Sequence, residues 1–325
     1  MTAAEGEAIH TGFKKIHVIM NPVSGLNPVP PETIENLLKQ ASIEWQLTVT
    51  EPKSDIQQLV KQALKDGADV IAAYGGDGTV MAVGEALIGS DVPFAILPAG
   101  TANVMSVELG VPQNLEAALK LACGENAAVR VVDVGVINNQ HHFLLRVGIG
   151  LEAAMTVNTP REEKKRLGRI AYFKSAALAF IRSKQVRYRI TVDGKRHVAY
   201  GVSCVICNSG NIGIPNLALG PEMSISDGLL DVIVMPGTDP RSVWSMFRSA
   251  FRSLQHNARR DGSIPHWQGK QVTVSTRRKQ DIGLDGELLK VRPPLTATII
   301  PRAVNVVIPA PADSAAAVSP SDHQK

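Results

Sequence analysis

A chain of 325 residues, 44% hydrophobic and 20% charged, has the composition of a soluble globular protein with room for two cored domains. A net charge of only +4 and 4% aromatic residues exclude a dedicated nucleic-acid binder, which needs basic stripes and stacking platforms. Three cysteines (Cys123, Cys204, Cys207) exclude a disulfide framework and suit a reducing cytosol, and no apolar run is long enough to span a membrane.

Met1–Gly12 reads as a loose leader without the basic and apolar regions of a signal peptide. The pattern then predicts a strand at Ile16–Met20, a turn over Asn21–Gly25, a helix over Pro31–Ala41 and a strand at Trp45–Val49. Ser54 with Gln57 predicts a capping box for a helix running to Asp66. Val70–Ala73 is a run of four small or apolar residues that suits a buried parallel strand. It leads through Tyr74 into Gly75-Gly76-Asp77-Gly78-Thr79, and a helical pattern runs from Val80 to Ile88. Strand, glycine turn and helix aim backbone N–H groups and a helix N-terminus at a phosphate. Asp77 among those glycines would repel phosphate unless Mg²⁺ lies between them, and a carboxylate with phosphate oxygens is a ligand set that Mg²⁺ takes. The plain alternative is an ordinary glycine-rich turn at a strand end.

Phe94–Leu97 predicts a further strand, entering Pro98-Ala99-Gly100-Thr101-Ala102-Asn103, with helical pattern through Leu109 and from Leu115 to Cys123. Alternating strands and helices argue a parallel sheet covered on both faces. Such sheets bind ligands beyond the carboxyl ends of their strands, where three of these turns fall. From about Val129 the texture becomes mostly β. Strands are predicted at Val129–Val136, Phe143–Val147, Val186–Val192, Gly201–Asn208, Leu229–Met235, Val272–Thr276 and Leu295–Ile300. Only Gly168–Ser183 and Arg241–Gln255 look helical, the latter opened by Asp239-Pro240. The Cys204–Cys207 pair lies in a β-type run with no second pair, which favours two strand residues on opposite faces over a zinc or redox site. The expected architecture is an α/β domain with a parallel sheet over 13–134, then a mostly antiparallel β-sandwich over 135–295. A disordered tail is expected over 310–325.

Five motifs occur in order: Asn21-Pro22-Val23-Ser24-Gly25, Gly75–Thr79, Leu97–Asn103, Asp227-Gly228-Leu229-Leu230-Asp231-Val232 and Asp285-Gly286-Glu287. Together, over roughly Lys15 to Pro309, they resemble the diacylglycerol kinase catalytic-domain family, in particular its bacterial soluble lipid kinases. Ordered motifs are far more specific than one glycine loop, which NAD kinases and phosphofructokinases share. The resemblance implies ATP and Mg²⁺ in a cleft between the domains, and a final segment, 296–309, returning to the first domain. Matched by position, Asn21, Ser24 and Gly25 would line the nucleotide site, with Thr50 at its edge. Gly75, Gly76, Asp77, Gly78 and Thr79 would hold phosphates, with Asp77 facing Mg²⁺, and Thr101 and Asn103 would close the pocket. Asp285 matches the family's proton acceptor, and Glu287 stands beside it.

A lipid hydroxyl attacks a γ-phosphate well only when a base takes its proton, and a carboxylate can serve while Mg²⁺ offsets charge on the phosphate. Taken alone, Asp285-Gly286 also suits a two-residue hairpin turn. The resemblance further implies a carboxylate network of Asp77 and Asp133 around Mg²⁺, and a second, structural Mg²⁺ on the Asp227 carboxylate and the carbonyls of Ser224 and Leu229. A plain β-turn is the alternative at the latter. The chain departs from many relatives at Val104, where they carry an acid, and at Glu152, where they often carry Asp.

The implied partner is a lipid at a membrane surface, in a cytoplasmic protein that visits the inner face of the membrane. Arg161, Lys164, Lys165, Arg166 and Arg169, with Arg241, Arg248 and Arg252, would meet anionic lipid; solvated helix faces are the plain alternative. Monomer and homodimer both remain open. An NAD kinase or a non-catalytic nucleotide- or lipid-binding regulator are the competing functions, with Asp77 and Asp285 arguing against the latter.

Overall fold

The structure is a computed structural model that describes residues 12–25, 28–150, 183–214, 217–218, 223–235 and 264–311. The first half alternates as its pattern predicts. Strands β1 (Lys15–Met20), β2 (Glu44–Val49), β3 (Val70–Gly75) and β4 (Phe94–Pro98) are parallel, in the spatial order β2-β1-β3-β4. Helices α1 (Pro31–Leu38), α2 (Ile56–Lys65), α3 (Asp77–Ala86), α4 (Val104–Glu108) and α5 (Leu115–Ala122) connect them and flank the sheet. All six residues of β3 are buried, which is why its sequence is apolar throughout rather than alternating. Packing of β1, β3 and β4 against the helices builds the first core.

The local corrections have local causes. The cap of α2 is Asp55, whose Oδ1 accepts from Gln58 N at 3.2 Å; Ser54 Oγ instead accepts from Glu51 N. Helix α3 starts at Asp77, three residues before the expected Val80. Its first turn is polar and glycine-rich, so apolar periodicity begins only after that turn. Helix α1 stops at Leu38 rather than Ala41.

The second half adds β5 (Ala127–Ile137), β6 (His141–Phe143), β7 (Arg146–Gly150), β8 (Val186–Val192), β9 (Lys195–Gly201) and β10 (Ser203–Cys207). After them come β11 (Asn211–Ile214), β12 (Leu217–Ala218), β13 (Leu230–Met235), β14 (His266–Gly269), β15 (Gln271–Thr276), β16 (Ile282–Leu284), β17 (Glu287–Leu289) and β18 (Leu295–Pro309). One antiparallel sheet has the order β14-β13-β10-β7-β16-β17. It faces an antiparallel extension of the parallel sheet, in which β18 leads through β15 to β8 and β9. Tyr188, Ile190, Val272 and Val274 on one side meet Ile149, Ile206, Val232 and Val234 in a second core. This is the α/β domain with an antiparallel β-sandwich that the sequence leads one to expect. Cys204 and Cys207 lie in β10, three residues apart and therefore on opposite faces.

Strand β18 is far longer than the expected Leu295–Ile300. It pairs with β5 in two stretches separated by a bulge between Ile300 and Val304, and Val306 pairs in parallel with Phe94 of β4. Pro301 and Arg302, the latter at φ 54°, lie in the bulge and interrupt the strand pattern. The expected strand Phe143–Val147 is likewise two strands, β6 and β7, in different sheets, joined by a corner at Leu144 and Leu145. Phe143, Leu144, Leu145 and Val147 are all buried, so the apolar pattern continues through the break, with only the half-buried Arg146 interrupting it. The expected helices at Gly168–Ser183 and Arg241–Gln255, apart from Ser183, lie outside the described residues. So do the basic run Arg161–Arg169, Glu152, the leader before Gly12 and the tail beyond Pro311.

Candidate active site

The crossovers from β1 to β2 and from β3 to β4 run in opposite directions, so the parallel sheet has its switch point between β1 and β3. Main-chain bonds extend the pairing past the strand ends: Thr50 N to Met20 O (2.8 Å), Asn21 N to Tyr74 O (2.9 Å) and Ala99 N to Gly75 O (2.9 Å). The turns therefore stand side by side. Gly25 has φ +84°, and a Cβ there would lie 1.9 Å from Ala99 O; a Cβ on Gly100 would lie 2.6 Å from Gly76 Cα. Bare backbone is what lets these turns close together. Asn21 Nδ2 donates to Thr79 Oγ1 at 3.2 Å, tying the β1 turn to the first turn of α3. Asn21, Gly25, Gly75–Thr79 and Gly100 thus form one backbone cradle at a helix N-terminus, with buried Ser24 in the first of its turns.

Asp77 stands in this cradle. Its Oδ1 accepts from Val104 N at 2.7 Å, so the acid also holds the start of α4. Burial pushes its pKa up, while the amides of Val104, Met105 and Asn103 and the charge of Arg146 oppose that shift. The Val104 side chain is buried in the first core. Position 104 thus meets Asp77 through its backbone N–H, while its side chain faces the core.

Asp285 approaches from the other domain. Asp285 and Gly286, at φ 47° and 90°, form a two-residue turn joining β16 to β17. The hairpin turn is thus present at this residue, and its carboxylate is free to make contacts outside the turn. Its carboxylate reaches the corner between β6 and β7: Oδ2 accepts from Leu144 N (2.9 Å), and Oδ1 accepts from Leu145 N (3.1 Å) and Arg146 N (2.7 Å). Burial pushes its pKa up to about 7, against the pull of these three amides and of the Arg146 charge. Arg146 thus acts electrostatically on both Asp77 and Asp285. The motifs did not single it out; the available signal was one charge inside an apolar strand run.

A cleft of about 200 Å³ runs between Gly78, Met81 and Ala82 of α3 and Leu144, Asp285 and Glu287. The Glu287 Oε1 would lie 3.5 Å from a Cβ built on Gly78, so the glycine turn and the Asp285 hairpin are neighbours. His142 Nδ1 pairs with Glu85 Oε1 at 2.9 Å on the wall of this cleft. A second cleft of about 400 Å³, lined by Tyr74, Gly100, Thr101, Asn103, Gln113 and Leu115, opens beside the turn after β4. Thr50 does not line it, standing at the end of β2 instead.

Asp133 has both of its carboxylate oxygens on backbone amides of the second half. Its Oδ2 accepts from Gly228 N (2.6 Å) and its Oδ1 from Arg302 N (2.7 Å), so it holds together the bulge of β18 and the turn before β13. In that turn Asp227 Oδ1 accepts from Leu229 N at 3.0 Å, and Ser224 Oγ accepts from Ser226 N at 3.3 Å. Burial, opposed by the Leu229 amide, raises the pKa of Asp227, and the charges of Asp231 and Asp133 add to the rise. Among the described residues, no three of the His, Cys, Asp and Glu side chains group as metal ligands.

A glycine cradle at a helix N-terminus beside a half-buried carboxylate in one cleft is an arrangement that suits a phosphotransferase. Residues 15–137 match the diacylglycerol kinase catalytic domain, and residues 145–308 match the YegS C-terminal NAD kinase beta sandwich-like domain. A probable YegS-like lipid kinase of Citrobacter koseri is 32% identical over 220 residues, 66% of this chain and 72% of that protein. The diacylglycerol kinase of Bacillus subtilis is 27% identical over 280 residues, covering 85% of this chain and 90% of its own length. A crystal structure of a diacylglycerol kinase from Bacillus anthracis superposes with a TM-score of 0.71 at 27% identity, covering 93% of this chain and 99% of that one. The chain belongs to the diacylglycerol kinase family of bacterial lipid kinases.

Proposed function

We propose that this chain is an ATP- and Mg²⁺-dependent kinase acting on the hydroxyl of a lipid of the diacylglycerol type. The observation that carries the reading is the Asp285 carboxylate, held by three amides in the same cleft as Gly78 of the phosphate cradle. Oδ2 accepts only one of those amides and keeps a lone pair for the acceptor's proton. As that proton moves to Asp285, the acceptor oxygen attacks the γ-phosphorus and the bond to the β-phosphate oxygen breaks, releasing ADP. Arg146 favours negative charge on both sides of the transfer. The residues fit the nucleotide: without a Cβ at Gly25 and Gly100 the glycine turns pack close enough to gather their backbone groups at the N-terminus of α3, where phosphate oxygens can be met. Asp77 is the residue that would hold Mg²⁺, which keeps most of its ligands as water and phosphate and supplies charge neutralisation there. The 200 Å³ of the cleft suits the hydroxyl-bearing end of a lipid, with Met81, Phe143 and Leu284 as apolar wall.

The test is incubation with labelled ATP and Mg²⁺ against a lipid panel and NAD. Labelled phospholipid supports the reading; labelled NADP, or binding without turnover, overturns it. No helix among the described residues is long and apolar enough to cross a membrane. Contact with anionic bilayers is part of the proposal on the basic residues Lys164, Lys165 and Arg166. Liposome sedimentation should therefore weaken steeply with salt, since attraction is screened beyond about 8 Å at physiological ionic strength.

Asp77→Ala is expected to weaken Mg·ATP binding by about tenfold or more, equivalent to ~1.4 kcal/mol. It should also lower stability by about 1 kcal/mol in chelator, because the Val104 amide loses its acceptor. Calorimetry with and without Mg²⁺ separates the two effects, and unchanged metal-dependent affinity would leave Asp77 with only its role at α4. A second, structural cation beside Asp227 belongs to the same proposal. Asp227→Ala should then lower the melting temperature more in Mg²⁺ than in chelator, whereas an equal loss would leave only the turn it closes with Leu229.

A further inference from the structure

We infer that Asn208 is a positioning residue for Asp285, acting through the two peptide groups that carry the amides of Leu145 and Arg146. The inference rests on the reading of Asp285 as the base. Asn208 follows β10 and is fully buried. Its Nδ2 donates to Leu144 O at 2.8 Å and to Asp133 O at 2.9 Å. Only the NH₂ end of the amide can face two carbonyls. Its backbone N–H donates to Leu145 O at 2.8 Å, joined there by Ser209 N at 3.1 Å. Each of the two peptides is therefore gripped at both ends. The peptide from Leu144 to Leu145 has its carbonyl on the Asn208 side chain and its N–H on Asp285 Oδ1. The next peptide has its carbonyl on the Asn208 and Ser209 amides and its N–H on the same oxygen.

A peptide carbonyl that accepts a hydrogen bond polarises its own N–H, so chains of such bonds strengthen one another. Asn208 thus fixes the orientation of two of the three donors and strengthens their hold on the carboxylate. The strand pattern breaks between β6 and β7, and the Leu144 carbonyl would otherwise lie buried without that donor. The third donor, Leu144 N, belongs to the preceding peptide and is not clamped in this way.

The test compares Asn208→Ala with the parent across pH, with Asp285→Asn as control. Of the two side-chain bonds lost, the one to Leu144 O holds a peptide of the corner, and its loss of about 1 kcal/mol should lower kcat by roughly fivefold while KM for ATP is unchanged. Looser amides favour the ionised carboxyl less, so the acid limb of the kcat profile should move upward. The other charges facing Asp285 are Arg146 of β7, Glu287 of its own hairpin and the Glu85–His142 pair on the cleft wall, and all are untouched. Infrared titration of the carboxyl band, assigned by its loss in Asp285→Asn, reads the same shift without turnover. Asn208→Ser keeps one short donor and should give a smaller shift, and it serves if the alanine variant does not fold. A variant that only melts earlier, with the pH limb and carboxyl band of the parent, overturns the proposal. If Asp285→Asn keeps near-normal turnover, the base assignment fails instead, and the infrared shift still reports on Asn208.

Discussion

Asp285→Asn is expected to reduce phosphoryl transfer by about 10²–10⁴-fold, the usual contribution of a positioned general base. Nucleotide binding should persist, because the substitution leaves the cradle of Asn21, Gly75–Thr79 and Gly100 intact. The asparagine oxygen can still accept from Leu145 and Arg146, but its NH₂ then faces the Leu144 amide, donor against donor. The parent should lose activity as pH falls through about 7, where the base becomes protonated. Stability runs the other way. Burial lifts this carboxyl from 3.8 to about 7, so its contribution to stability is fully present below about 3.8 and is lost as pH rises through about 7. The mutant does not carry that loss. Denaturation at pH 5 and pH 8 should show mutant stability improving relative to the parent at the higher pH, while activity is absent at both. Near-normal turnover in the mutant would remove Asp285 from the role.

Asp133→Ala is expected to be the most destabilising single change discussed for this protein. Both carboxylate oxygens of a buried residue accept backbone N–H bonds, from Gly228 and Arg302, across 95 and 169 residues of chain. Bonds to a charged group contribute about 1.5–3 kcal/mol each, and their loss leaves two amides without an acceptor. A loss of roughly 3–5 kcal/mol follows, or about 10 °C in melting temperature for a domain of this size. The loss should be equal in Mg²⁺ and in chelator, since Asp133 acts here through amides. A loss seen only in Mg²⁺ would return Asp133 to the metal network that the resemblance implies.

The two results separate what is local in this chain from what is not. The strand and turn of Val70–Thr79, the hairpin at Asp285-Gly286 and the alternation through Cys123 were all legible, because periodicity, glycine and turn chemistry act within a few residues. Even the local misreadings, at the α2 cap and at the start of α3, were displacements of one to three residues. The corner at Leu144–Leu145 was not legible, since Phe143, Leu144 and Leu145 run on as apolar residues through the break and one charge at Arg146 does not distinguish a corner from a continuous strand.

The ordered motifs identified Asp285 and Asp77 as the acids to examine, but not what surrounds them. Asp285 is held by Leu144, Leu145 and Arg146, some 140 positions away, and Asp133 by Gly228 and Arg302. Every one of these donors is a main-chain N–H. Such a group is present at every position but proline, so no residue type announces it. The sequence by itself determined the alternation of the first half, the β texture of the second and the acids to examine. Only the tertiary structure decided which carboxylate lines the cleft and which one ties the bulge of β18 to the sandwich. That choice depends on which backbone amides the folded sheets leave without a strand partner.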